Sequence, residues 1–127
     1  MRCRKLVRAI ATVVLFSAAC GSTADPVVTG LIDRTKPDGG RVTEYFGLNR
    51  TSAGIDASWL VETDMTWDHY AQWIRGRLSP GFESVGGGPN SLTFRKALDA
   101  DSYTIVFESM PGQNPMRVRV TVQGRPL

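Results

Sequence analysis

His69, Asp64 and Asp68 are the residues whose type and spacing come nearest to chemistry. His69 is the single histidine. It follows Asp68 directly and lies about one helical turn beyond Asp64. A metal or acid–base centre needs further ligands or an oriented partner for the imidazole. Here only carboxylates adjacent in sequence are offered, and an exposed helix position explains His69 better. Asp64 and Asp68 stand four residues apart at the start of a helix, where negative charge is stabilised without any catalytic role. No serine occupies a Gly-x-Ser-x-Gly elbow. Gly86-Gly87-Gly88 lacks the lysine and the strand–loop–helix setting of a phosphate loop, and fits a hairpin tip. The sequence therefore assigns no catalytic residue, no cofactor and no metal.

The aromatic residues form the other notable group. Tyr45, Phe46, Trp59, Trp67, Tyr70 and Trp73 fall in one stretch of the chain. Trp59, Trp67 and Tyr70 sit on expected core faces. Trp73 sits at the rim, with Arg77 one turn on, and this pair is the candidate contact for a partner or ligand, as aromatic and arginine anchors are at interfaces.

The elements that would position these groups follow from periodicity. Arg41–Leu48 and Ile55–Glu62 alternate as two strands across a loop of turn formers. Leu60 breaks the alternation of the second. One helix is well marked. Thr66 is its N-cap, Met65 and Tyr70 form a hydrophobic staple, and Trp67, Tyr70, Ala71, Ile74 and Leu78 make one apolar face. Ser79-Pro80-Gly81 ends it. Four strands follow as a meander. Pairing Phe107 with Val118, Leu92 with Phe107, and Phe82 with Phe94 brings Phe82, Phe94, Ile105 and Val120 into one row, and Leu92, Phe107 and Val118 into another. Thr93, Arg95, Thr104, Glu108, Arg117, Arg119 and Thr121 fall on the opposite, solvated face. The expectation is an α+β fold of order ββαββββ, a small antiparallel sheet of about six strands with one amphipathic helix on one face.

Residues 1–19 read as a cleaved export signal. Arg2, Arg4, Lys5 and Arg8 precede an apolar run of about 11 residues that ends in small residues, against about 20 for a membrane span. Ser17-Ala18-Ala19-Cys20-Gly21 resembles the lipobox of bacterial lipoproteins, although Ser17 stands where that family usually has Leu. The resemblance implies acylation of Cys20 and cleavage just before it. It further implies a domain anchored to a membrane in the cell envelope, on the periplasmic side of the outer membrane in a Gram-negative host, because Gly21 rather than Asp follows the cysteine. Ser22-Thr23-Ala24 resembles an ordinary signal-peptidase site, which would release a free periplasmic or secreted chain starting at Asp25.

Removing the four basic residues of the signal leaves 11 Lys and Arg against 12 Asp and Glu, a net charge of −1. That balance carries no nucleic-acid footprint. Cys3 departs with the signal and Cys20 takes the lipid, so no disulfide remains to brace the mature domain. Residues 20–40 read as the lipidated cysteine and a flexible tether, with Val27, Val28, Leu31 and Ile32 as a weak strand signal. Such a tether would reach about 65 Å when extended. Residues 41–127 then make a single domain. The functional expectation is a non-enzymatic envelope lipoprotein with a structural or protein-interaction role. The alternative is a binding module for glycan, peptide or lipid that uses the Trp-rich region. Helix-on-sheet domains of this size are similar in architecture to those of several envelope lipoproteins, a likeness that carries no function by itself.

Overall fold

The computed structural model describes residues 25–98, 100–110 and 112–127; the expected export signal and Cys20 lie outside them. The elements are α1 (Pro26–Arg34), β1 (Arg41–Thr51), β2 (Gly54–Thr63), α2 (Trp67–Leu78), β3 (Glu83–Gly88), β4 (Ser91–Leu98), β5 (Asp101–Met110) and β6 (Met116–Pro126). Six antiparallel strands form one sheet in the order β1-β2-β6-β5-β4-β3. With two helices, this is an α+β fold.

The stretch expected to be a tether is helical from Pro26 to Arg34. Asp25 caps it: the carboxylate accepts from the Val27 and Val28 amides at 2.9 and 3.2 Å. Pro26 occupies the first helical position, where its missing N–H costs nothing. Nine residues are too few for a helix to persist alone in water. Packing supplies the difference, because Val28 and Leu31 are fully buried in the core. Full burial of such a side chain contributes about 1.5–3 kcal/mol. Val27, Val28, Leu31 and Ile32, expected as a weak strand, lie in this helix instead, and their spacings of one, four and five residues suit a helical face.

α2 has the expected limits. Thr66 Oγ1 accepts the His69 amide at 3.2 Å, and the helix ends at Leu78 before Ser79. Tyr70, Ala71, Ile74 and Leu78 are buried, whereas Trp67 and Trp73 pack against the core while partly exposed. The Tyr70 ring lies 6.2 Å from that of Phe107 on β5, which places α2 against the sheet.

The core face of the sheet is built in cross-strand rows. One row is Leu92, Phe107, Val120, Trp59 and Tyr45, and the next is Phe94, Ile105, Val122, Ala57 and Leu48. The β4–β5 register is the expected one. The β5–β6 register is displaced by two residues: Phe107 meets Val120, not Val118, and Ile105 meets Val122. Because side chains alternate with a period of two, this displacement keeps the same residues inward.

Phe94 meets Ser84 rather than Phe82. Phe82 precedes β3, buried, with its amide bonded to the Leu78 carbonyl at 2.9 Å. Gly86–Gly88 belong to β3 rather than to a loop. At Gly87 a Cβ would come within 2.5 Å of the Ser91 carbonyl oxygen, so glycine permits the close pairing.

β1 is an edge strand with two irregularities, between Val42 and Glu44 and between Tyr45 and Leu48. The first brings Tyr45 opposite Trp59 on the core side, and the second, which spans the exposed Phe46, brings Leu48 opposite Ala57; together they account for the imperfect alternation. Bulges of this kind blunt an edge against pairing with other chains.

Candidate functional site

The residues singled out for chemistry do not assemble. Asp64, Asp68 and His69 are all exposed around the start of α2. Among the described residues, no three of His, Cys, Asp or Glu are grouped so as to hold a metal ion. No described helix is long and apolar enough to cross a membrane.

Trp73 and Arg77 are brought together, one helical turn apart. The Arg77 guanidinium carbon stands 5.7 Å from the centre of the Trp73 ring, and Tyr70 packs at 5.6 Å from the same ring. Arg77 is also bonded within the fold. Its Nε donates to the Arg34 carbonyl at 3.3 Å, while Arg34 Nη2 donates to the Arg77 carbonyl at 2.6 Å. The exposed Arg77 guanidinium thus serves the junction of α1 and α2, while the half-buried Trp73 indole packs against Tyr70 and Arg77.

Thr35 is the polar centre beneath that junction, and it is fully buried. Its Oγ1 accepts the indole N–H of Trp59 at 3.1 Å and donates to the Ile32 carbonyl at 3.2 Å. Its carbonyl accepts the Tyr70 hydroxyl at 2.7 Å. Burial raises the Tyr70 phenol well above its ordinary value, so this hydroxyl stays a donor across the accessible pH range. Among the described residues no buried side-chain nitrogen or oxygen lacks a partner. The network holds no carboxylate, imidazole or thiol, and its bonds join α1, β2 and α2 within the core.

Two shallow clefts flank Tyr103. One, of about 220 Å³, is lined by Asp25, Arg50, Ser52, Asp101 and Pro126 among others. The other, of about 190 Å³, lies between α1 and the meander, with Leu31, Phe82, Leu98 and Tyr103 as apolar lining and Lys96 and Arg34 as its cations. Lys96 Nζ sits 5.5 Å from the centre of the Phe82 ring. Both volumes fall below the ~300–1,000 Å³ usual for a ligand site. They suit a side chain or a headgroup fragment.

The face of the sheet away from the helices is open. One of its rows is Ser58, Thr121, Val106 and Thr93; another is Glu44, Leu60, Arg119, Glu108 and Ser91. Leu60 therefore interrupts the alternation of β2 by facing outward, yet it is almost fully covered. Glu62 on the same face bonds Arg41 Nε at 2.9 Å and Arg117 Nε at 3.4 Å. The Arg41 bond is the main cause holding its carboxyl below the usual range. The larger exposed aromatics lie at the neighbouring edge, Tyr45 and Phe46 on β1. No family model, curated protein or solved structure matches this chain.

Proposed function

We propose that this chain is a small lipoprotein of the cell envelope, held at a membrane surface through acylated Cys20, and that its α+β domain has a structural or protein-interaction role rather than a catalytic one. The observation that carries the reading is the order Arg2-x-Arg4-Lys5, apolar run, Ser17-Ala18-Ala19-Cys20 at the head of the chain.

The packing of the domain fits the same role. The space between α2 and the sheet is filled by Tyr70, Ile74, Leu78, Phe107 and Trp59, all fully buried, so no apolar groove is left there for a glycan or acyl chain. What the domain offers instead is surface: the open face of the sheet, the β1 edge with Tyr45 and Phe46, and the rim at Trp73.

Fractionation tests the reading. In a bacterial host the full chain should partition into the detergent phase with membranes, and Cys20→Ala should move it to the aqueous phase. Aqueous partitioning of both chains would favour a free periplasmic or secreted protein.

A further inference from the structure

Asp25 lies at one pole of the sheet. Its carboxylate is 3.8 Å from Arg50 Nη2, and it shares a cleft with Thr51, Ser52, Gly54, Asp101 and Pro126. The pairings of Thr51 with Gly54, Leu98 with Asp101, and Asp101 with Pro126 gather the β1–β2 turn, the β4–β5 turn and the end of β6 at this same pole. The opposite pole holds the β5–β6 loop and the β3–β4 turn, as the pairings of Thr63 with Met116 and Gly88 with Ser91 show. A strand of ten residues, such as β2, spans about 33 Å.

Cys20 precedes Asp25 by five residues. Five peptide units reach at most about 18 Å. An acyl-bearing Cys20 therefore keeps the Asp25 pole within that distance of the lipid headgroups, too short for the domain to invert and rest on its far pole.

From this we infer that the pole built from Asp25, Arg50, Ser52, Asp101 and Pro126 is the membrane-facing surface, apposed to lipid headgroups, with the β5–β6 loop pointing away. The inference rests on the lipoprotein reading above. The charge at this pole is partly balanced: Asp25 is matched by Arg50, and Asp56 is bonded by Arg125 Nη2 at 3.1 Å, so those two carboxylates are offset toward an anionic bilayer. The open sheet face then looks sideways along the membrane, within reach of a neighbouring envelope protein.

Energy transfer from single labelled positions tests the orientation. The full chain is purified acylated from bacterial membranes and placed in phosphatidylethanolamine–phosphatidylglycerol vesicles carrying a headgroup acceptor dye. A donor is attached at Ser52→Cys or, separately, at Gln113→Cys; the acylated Cys20 sulfur does not react. Transfer should be several-fold greater from position 52 than from 113. A twenty-residue Gly-Ser insertion after Gly21 should bring the two toward equality. Equal transfer in the acylated native-length chain, or greater transfer from 113, would overturn the orientation, and a difference unchanged by the insertion would overturn the short tether as its cause. A chain whose mass shows no acyl groups, and which does not float with the vesicles, would overturn the lipoprotein reading and the orientation together.

Discussion

Arg34 and Arg77 cap each other's helices. Arg34, in the last turn of α1, donates to the carbonyl of Arg77 in the last turn of α2, and Arg77 donates back to the carbonyl of Arg34. Two helix C-termini are thereby brought together, an arrangement that would otherwise set two partial negative charges side by side. Each exchanged guanidinium offsets the other helix's terminal charge. Arg77 lies over Trp73 as well, so the same side chain ties the helix junction to the aromatic rim.

Arg34→Ala and Arg77→Ala should each lower stability by about 0.5–1.5 kcal/mol, the net worth of one such hydrogen bond. Arg77→Ala should cost more, because it also uncovers Trp73. Urea denaturation of the singles and the double gives the coupling. A double mutant that loses less than the sum of the two singles is the expected sign of a joint cap.

Thr35→Val keeps the shape of a buried residue but leaves the Trp59 indole N–H with no acceptor. The expected cost is about 1–3 kcal/mol, the penalty for an unsatisfied buried donor. Thr35→Ser keeps the hydroxyl and should cost less. Tyr70→Phe, which removes the bond to the Thr35 carbonyl, should cost about 1 kcal/mol. Thermal or urea unfolding followed by tryptophan fluorescence ranks the three.

Gly124 pairs across the sheet with both Ile55 and Tyr103. A Cβ there would lie 2.9 Å from Ile55 Cγ1 and 3.0 Å from Tyr103 Cε2. Gly124→Ala should therefore destabilise by about 1–3 kcal/mol through overpacking, against the usual gain from replacing a strand glycine. A combined Gly124→Ala, Ile55→Ala chain, which removes the clashing Cγ1, should lose less than the sum of the two single substitutions in the same denaturation assay.

Glu62 gives the acid side of the pH profile a definite sign. Its carboxyl is held below the ordinary range chiefly by the hydrogen bond from Arg41, assisted by Arg117. A depressed carboxyl contributes stability above its unfolded value and loses it as pH falls through the folded value. Glu62→Gln should flatten the stability curve below about pH 5, where an unperturbed glutamate begins to protonate. At the alkaline end the sign reverses. Burial raises the Tyr70 phenol, so the stability it contributes is intact below about pH 10 and declines above. Tyr70→Phe should remove that decline. Denaturation midpoints across the two pH windows check both.

The legible parts of the fold are those whose signals are local. α2 could be read from Thr66 to Leu78 because its cap, apolar stripe and Ser-Pro-Gly stop lie within the helix and its flanks. The β4–β5 register was readable because the connection from Leu98 to Asp101 is short enough to fix it. Across the longer β5–β6 loop, alternation determined which residues face inward but not which partner each meets, hence the two-residue displacement.

α1 was missed because Thr29 and Gly30 weaken its helical propensity, and its stability comes from burial of Val28 and Leu31. Its local signal was present in Asp25-Pro26, a capping residue followed by the proline suited to a first helical position. At the candidate site, the spacing of Trp73 and Arg77 showed that they meet. It could not show that Arg34, 43 residues before Arg77, occupies the guanidinium from across the helix junction.

The mass of the mature chain produced in a bacterial host tests the central claim most directly. The account predicts a species that starts at Cys20 and carries acyl chains, absent from the Cys20→Ala control. A chain that starts at Asp25 and bears no lipid would contradict it, and would make this domain a free exported protein.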